Sequence, residues 1–123
     1  MRSMAMVVAV CASAAAMAAP PDLQVDIGGT GPQEERMMVR TFAPGQGPGW
    51  HIHHGVELTY VLSGSIQLSI AGQPPRILHA DESFAVPRDA VHEAHAVGDG
   101  PATLVVTYAI DKGSPPRITV PAP

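Results

Sequence analysis

Gly45-Gln-Gly-Pro-Gly-Trp-His51-Ile-His53-His54-Gly-Val-Glu57-Leu-Thr-Tyr-Val-Leu-Ser-Gly64 places three strong metal-ligand side chains, His51, His53 and Glu57, within seven residues. In an extended strand successive side chains point to opposite faces, so His51 and His53, two apart, project to one side and can grip one cation. The His54-Gly55 pair permits a bend, after which Glu57 opens the next strand with its carboxylate turned back to the imidazole face. A fourth ligand, His92, stands far along the chain in Val86-Pro-Arg-Asp-Ala-Val-His92. It reaches the others only if a folded β-structure brings it in.

Working outward, the chain reads as short strands separated by turns. Leu23–Ile27 alternates like an edge strand, Gly28 to Pro32 breaks it, and Arg36–Phe42 follows before a Pro/Gly-rich loop over 43–49. Glu57–Ser63 and Ser65–Ile70 form a hairpin about Gly64. Arg76–His79, Ser83–Val86, His92–Val97 and Ala102–Ile110 complete the set, and Ile118–Val120 can add an edge pairing within a proline-rich tail expected to be extended and peripheral. No βαβ crossover has room, which argues for an antiparallel barrel or sandwich. Parity along the hairpin sends Glu57, Thr59 and Val61 inward, and Leu58, Tyr60 and Leu62 to the other face. An outer face that apolar asks for a cover that so short a chain can hardly supply, so a homodimer through this sheet is expected.

The hairpin and its loop resemble the first motif of the cupin superfamily: Gly, five residues, His-x-His, three or four residues, Glu, six residues, Gly. Gly45, His51, His53, Glu57 and Gly64 fit it without a gap. The second cupin motif is met in part, by Pro87 and His92; Asp81 and Asp89 stand where glycines would be, and Ala96 where Asn would be. Aspartate tolerates left-handed backbone better than most residues, so both turns are expected to survive. The resemblance covers residues 37–110 and implies an all-β fold, a single antiparallel jelly-roll barrel over residues 36–112. Residues 19–35 then form an N-terminal extension and 113–123 the tail.

The 123 residues are 46% hydrophobic with 13 prolines and 12 glycines, as suits one small turn-rich domain. Met1-Arg2-Ser3 leads an alanine-rich apolar run to Ala16-Met17-Ala18, the pattern of a secretory signal peptide over residues 1–18, which implies a periplasmic or secreted protein. Cys11, the one cysteine, falls inside that leader, so disulfides and thiolate chemistry are excluded from the remainder. A net charge of −4 and the absence of a basic stripe speak against nucleic acid or a membrane surface as partner.

Three imidazoles and a carboxylate suit one divalent transition metal, with Fe, Mn, Cu, Zn and Ni all open. With a divalent ion the set carries about +1, and an octahedral ion keeps two positions open for a small-molecule ligand or substrate. Glu57, as ligand and as the carboxylate nearest those positions, is the candidate catalytic residue. His54, His79 and His95 are read as surface histidines, since His54 and His95 fall at odd steps from His53 and His92. Phe42 or Met38, Trp50, Thr59, Val61, Phe84 and Tyr108 are candidate pocket residues, with Trp50 alternatively facing outward. Arg40 and Arg76 are anion clamps or surface charge, and surface charge is the commoner fate of arginine. What such cupins do implies a dioxygenase-like oxidoreductase, an isomerase or lyase acting on sugar acids, or a non-enzymatic binding module; fold alone does not choose.

Overall fold

The computed structural model describes residues 22–123, and the leader expected over 1–18 lies outside them. The strands are β1 (Gln33–Phe42), β2 (His51–Ile52), β3 (Gly55–Ser63), β4 (Ser65–Ile70), β5 (Arg76–His79), β6 (Ser83–Val86), β7 (His92–Val97), β8 (Ala102–Asp111) and β9 (Ile118–Thr119). They build two antiparallel sheets, ordered β1-β8-β3-β6 and β5-β4-β7-β2-β9, with no helix among the described residues. The fold is an all-β jelly roll. Its core joins both sheets through Val61, Ile66, Leu68, Leu78, Phe84 and Val106.

Side-chain parity places the site. Glu57, Thr59 and Val61 are buried, whereas Leu58 and Tyr60 are half-buried and Leu62 is 52% exposed. Register then sets His51 of β2 opposite His92 of β7, so the ladder itself delivers the distant histidine to the pair in the first motif. Gly55 lets β3 pass close over β8: a Cβ there would meet the Ala109 carbonyl oxygen at 2.0 Å. Both aspartates standing in glycine positions adopt left-handed backbone, Asp81 at φ 69° and Asp89 at φ 59°. Each turn is pinned: the Asp81 N–H donates to Val61 O (2.8 Å) and the Asp89 N–H to His53 O (3.1 Å).

One segment differs from expectation. Leu23–Ile27 forms no strand. It lies along the outer face of the four-stranded sheet, where Val25 and Ile27 border one shallow hollow with Val56 and Leu58, and Leu23 borders another with Tyr60 and Val105. Its last carbonyl finds a side chain instead of a ladder, since Arg88 donates to Ile27 O (3.0 Å) and is itself held by Asp111. Val56 is thereby buried although it belongs to the outer face, so the chain supplies part of the cover that parity had left to a second copy. The tail makes the edge pairing expected of it: β9 pairs with β2 at the margin of the five-stranded sheet, setting Thr119 opposite His51 and Ile118 opposite Ile52.

Candidate metal centre

His51 comes from β2, His53 from the bend after it, Glu57 from β3 and His92 from β7. All four are at most 6% exposed, and one ligand atom from each lies within 4.8 Å of every other. The three imidazole rings stand 4.2 to 5.0 Å apart, centre to centre.

Hydrogen bonds fix the tautomers. The Nδ1 atoms of His51, His53 and His92 lie 2.6, 2.6 and 2.8 Å from the carbonyl oxygens of Gly49, Pro116 and Ala90. A carbonyl can only accept, so each Nδ1 donates and each neutral ring turns the lone pair of Nε2 inward. Yet Nε2 of His53 and of His92 approach Glu57 Oε2 to 3.0 and 3.1 Å, while Thr59 Oγ1 donates to Glu57 Oε1 at 2.7 Å. Lone pairs facing each other at that range require a positive species between them, a shared proton or a metal ion. Ligands about 2.1 Å from one ion and at right angles stand about 3.0 Å apart, so the donor set suits a divalent cation in both chemistry and spacing. The backbone carbonyls supply the outer-shell acceptors that such histidines ordinarily need.

Burial pushes His51 down from 6.5 to about 4, helped by the neighbouring His92 and His53 and opposed by the Gly49 hydrogen bond. Burial alone would raise Glu57, but in the metal-free centre a proton shared with Nε2 of His53 and His92, together with the Thr59 hydrogen bond, outweighs it and holds the carboxyl at about 2. Unfolded His51 takes up its proton near 6.5 and folded His51 only near 4, so its contribution to stability is lost as pH falls through that window. Metal-free wild type should therefore lose more melting temperature than His51→Asn between pH 6.5 and 4, followed by circular dichroism. Equal slopes would contradict this environment for His51.

Above the ligands opens a cavity of about 120 Å³, walled by Phe42, Phe84, Leu104 and Val106 with Arg40, Tyr108 and Arg117. Tyr108 packs on His53 (ring centres 4.3 Å apart), and burial together with the Glu57 charge pushes its phenol far above the ordinary range. It therefore stays a neutral hydroxyl donor. Of the expected pocket residues, Phe42, Phe84 and Tyr108 line the cavity; Thr59 and Val61, both buried, and Trp50, half-buried, do not. His54 bonds Asp89, His79 bonds Ser65 and His95 bonds Glu93, all away from the centre. Arg40, read above as an anion clamp or surface charge, borders the cavity, and Arg117 and the Pro116 carbonyl are contributors that no sequence motif marks.

A family model described as Cupin domain matches residues 38–108. No curated protein matches the chain. Among solved structures, a DMSP lyase is 26% identical with a TM-score of 0.61, over 70% of this chain and 44% of that one. An oxalate oxidase in complex with the substrate analogue glycolate is 28% identical with a TM-score of 0.59, over 65% of this chain and 44% of that one. An uncharacterized double-stranded β-helix protein from Klebsiella pneumoniae is 25% identical with a TM-score of 0.59, over 65% of this chain and 70% of that one. The chain thus spans less than half the length of the lyase and the oxidase that it resembles.

Proposed function

The chain belongs to the cupin family, and from that premise we propose that it is a metal-dependent cupin acting on a small oxygen-rich or enolisable molecule as a dioxygenase-like oxidoreductase. The observation that carries this reading is the convergence of His51, His53, Glu57 and His92 at the foot of an open, largely apolar cavity. When bound there, a divalent transition metal supplies Lewis-acid polarisation of a ligand oxygen and, for iron, manganese or copper, one-electron chemistry. The residues around it orient and exclude. Thr59 holds Glu57 Oε1 so that Oε2 faces His53 and His92, Tyr108 offers a neutral hydroxyl, and Phe42, Phe84, Leu104 and Val106 form an apolar wall. Likeness to the oxalate oxidase supports the oxidoreductase reading.

Likeness to the DMSP lyase supports a second one, a metal-dependent lyase or isomerase. Metal-loaded protein screened by thermal shift against small hydroxy and keto acids, with hits assayed in air and under argon, separates the two. Oxygen uptake coupled to product is expected. Equal turnover under argon would give the lyase reading, and binding without turnover in either gas would leave a non-enzymatic binding module.

Assembly and export belong to the same proposal. The outer sheet face stays apolar beyond the N-terminal cover, with Met37 73%, Val39 58% and Leu62 52% exposed, which supports a homodimer through it. Light scattering should report a dimer at micromolar concentration that Val39→Glu shifts toward monomer; a wild-type monomer would sink the idea. Residues 1–18 read as a leader, so protein recovered from the periplasm or medium should begin at residue 19 by N-terminal sequencing.

A further inference from the structure

The inner face of β1 carries arginine where a barrel wall usually carries apolar side chains. Residues 36, 38, 40 and 42 stand opposite Tyr108, Val106, Leu104 and Ala102 of β8. Met38 and Phe42 pack on the core, but Arg36 and Arg40 reach past its edge into solvent. Glu34 neutralises Arg36. Arg40 donates only to the carbonyl of Val39, its own neighbour, and has no carboxylate among the described residues. Arg117 arrives from the opposite side, directly after the carbonyl that orients His53. It too has no acidic partner among the described residues. Both arginines border the cavity that His51, Glu57 and His92 floor, and both border an adjoining hollow with Tyr108 between the two.

Two unpaired guanidinium groups beside a centre that carries about +1 with its ion repel one another and the ion, in a chain whose net charge is −4 and whose acids could have paired them. Both side chains reach solvent, which screens part of this repulsion, and an anion taken up at the mouth relieves the rest. A planar guanidinium fork matches a carboxylate in two parallel hydrogen bonds. The cavity of about 120 Å³ limits the part of a guest that reaches the centre: at ~10–15 Å³ per water-sized group it holds on the order of ten atoms.

Resting on the metal reading above, we propose that Arg40 and Arg117 form a carboxylate subsite at the cavity mouth, so that the molecule taken is a small organic acid. Its carboxylate lies on the guanidinium pair, and a second oxygen, from a hydroxyl, carbonyl or further carboxylate, points toward His51, His53, Glu57 and His92. Tyr108, between the two hollows, donates its hydroxyl to the bound acid.

Calorimetric titration of zinc-loaded protein with malonate, its neutral analogue malonamide and inorganic phosphate tests this, with zinc content measured in every sample. Malonate should bind wild type and malonamide should not. Arg40→Gln and Arg117→Gln should each weaken malonate about tenfold and together about a hundredfold, in proportion to lost charge-assisted hydrogen bonds. Zinc content should stay at the wild-type level, because neither side chain is a ligand. Unchanged malonate affinity in the zinc-loaded double variant, or no malonate binding to zinc-loaded wild type, would overturn the subsite and leave the metal centre standing. Tighter binding of phosphate than of malonate would overturn the carboxylate assignment. A wild type that takes up no zinc would instead overturn the metal reading on which the subsite rests.

Discussion

Replacing His51, His53 or His92 by alanine should strip most of the bound metal, whereas His54→Ala and His95→Ala should keep it near the wild-type level. The contrast comes from strand parity and hydrogen bonding together. The first three turn Nε2 to one point and spend Nδ1 on a backbone carbonyl, while His54 and His95 spend theirs on Asp89 and Glu93 outside the centre. Loss of an outer-shell partner alone ordinarily costs about 10–100-fold in metal affinity, so loss of a ligand should cost more than about a hundredfold. Glu57→Gln should cost less, because an amide oxygen still coordinates. Elemental analysis of folded protein reads all of these, and equal loss in the two histidine groups would contradict the assignment.

Ending the chain after Ser114 should weaken metal binding by about 10–100-fold while the barrel stays folded. That deletion removes the acceptor on His53 Nδ1, the β9 ladder on β2 and the bond from the Val120 N–H to Trp50 O. The core cluster contains no residue of the tail, so near-native circular dichroism should persist. Pro116→Ala keeps the carbonyl and serves as the control, with affinity close to wild type. Competition with a chelator measures the difference; undiminished affinity in the truncated protein would show that His53 needs no partner from the tail.

Much of this was legible because side chains and turns announced it. β5, β6 and β7 have the bounds that alternation and flanking turn residues gave them, and Asp81 and Asp89 take the left-handed backbone expected of aspartates in glycine positions. Leu23–Ile27 misled for a physical reason. Alternation reports which side chains share a face, not whether a backbone partner is present, and here no strand pairs with the segment; its Ile27 carbonyl bonds the Arg88 side chain instead. The edge pairing of the tail was legible, but its contribution to the centre was not, because that contribution is a carbonyl. Every residue carries one, so nothing in Pro115-Pro116-Arg117 distinguishes the group that orients His53. Arg40 and Arg117 are visible as charges in the sequence, but only the pairing of β1 with β8 and of β9 with β2 aims both at one cavity.

X-ray absorption at the edge of the ion bound to the purified protein tests the centre most directly. Ligation by His51, His53, Glu57 and His92 predicts one ion per chain, with the multiple-scattering signature of three imidazoles and one carboxylate oxygen at about 2.0–2.2 Å. An ion without imidazole in its sphere, or a chain that takes up none, would contradict it.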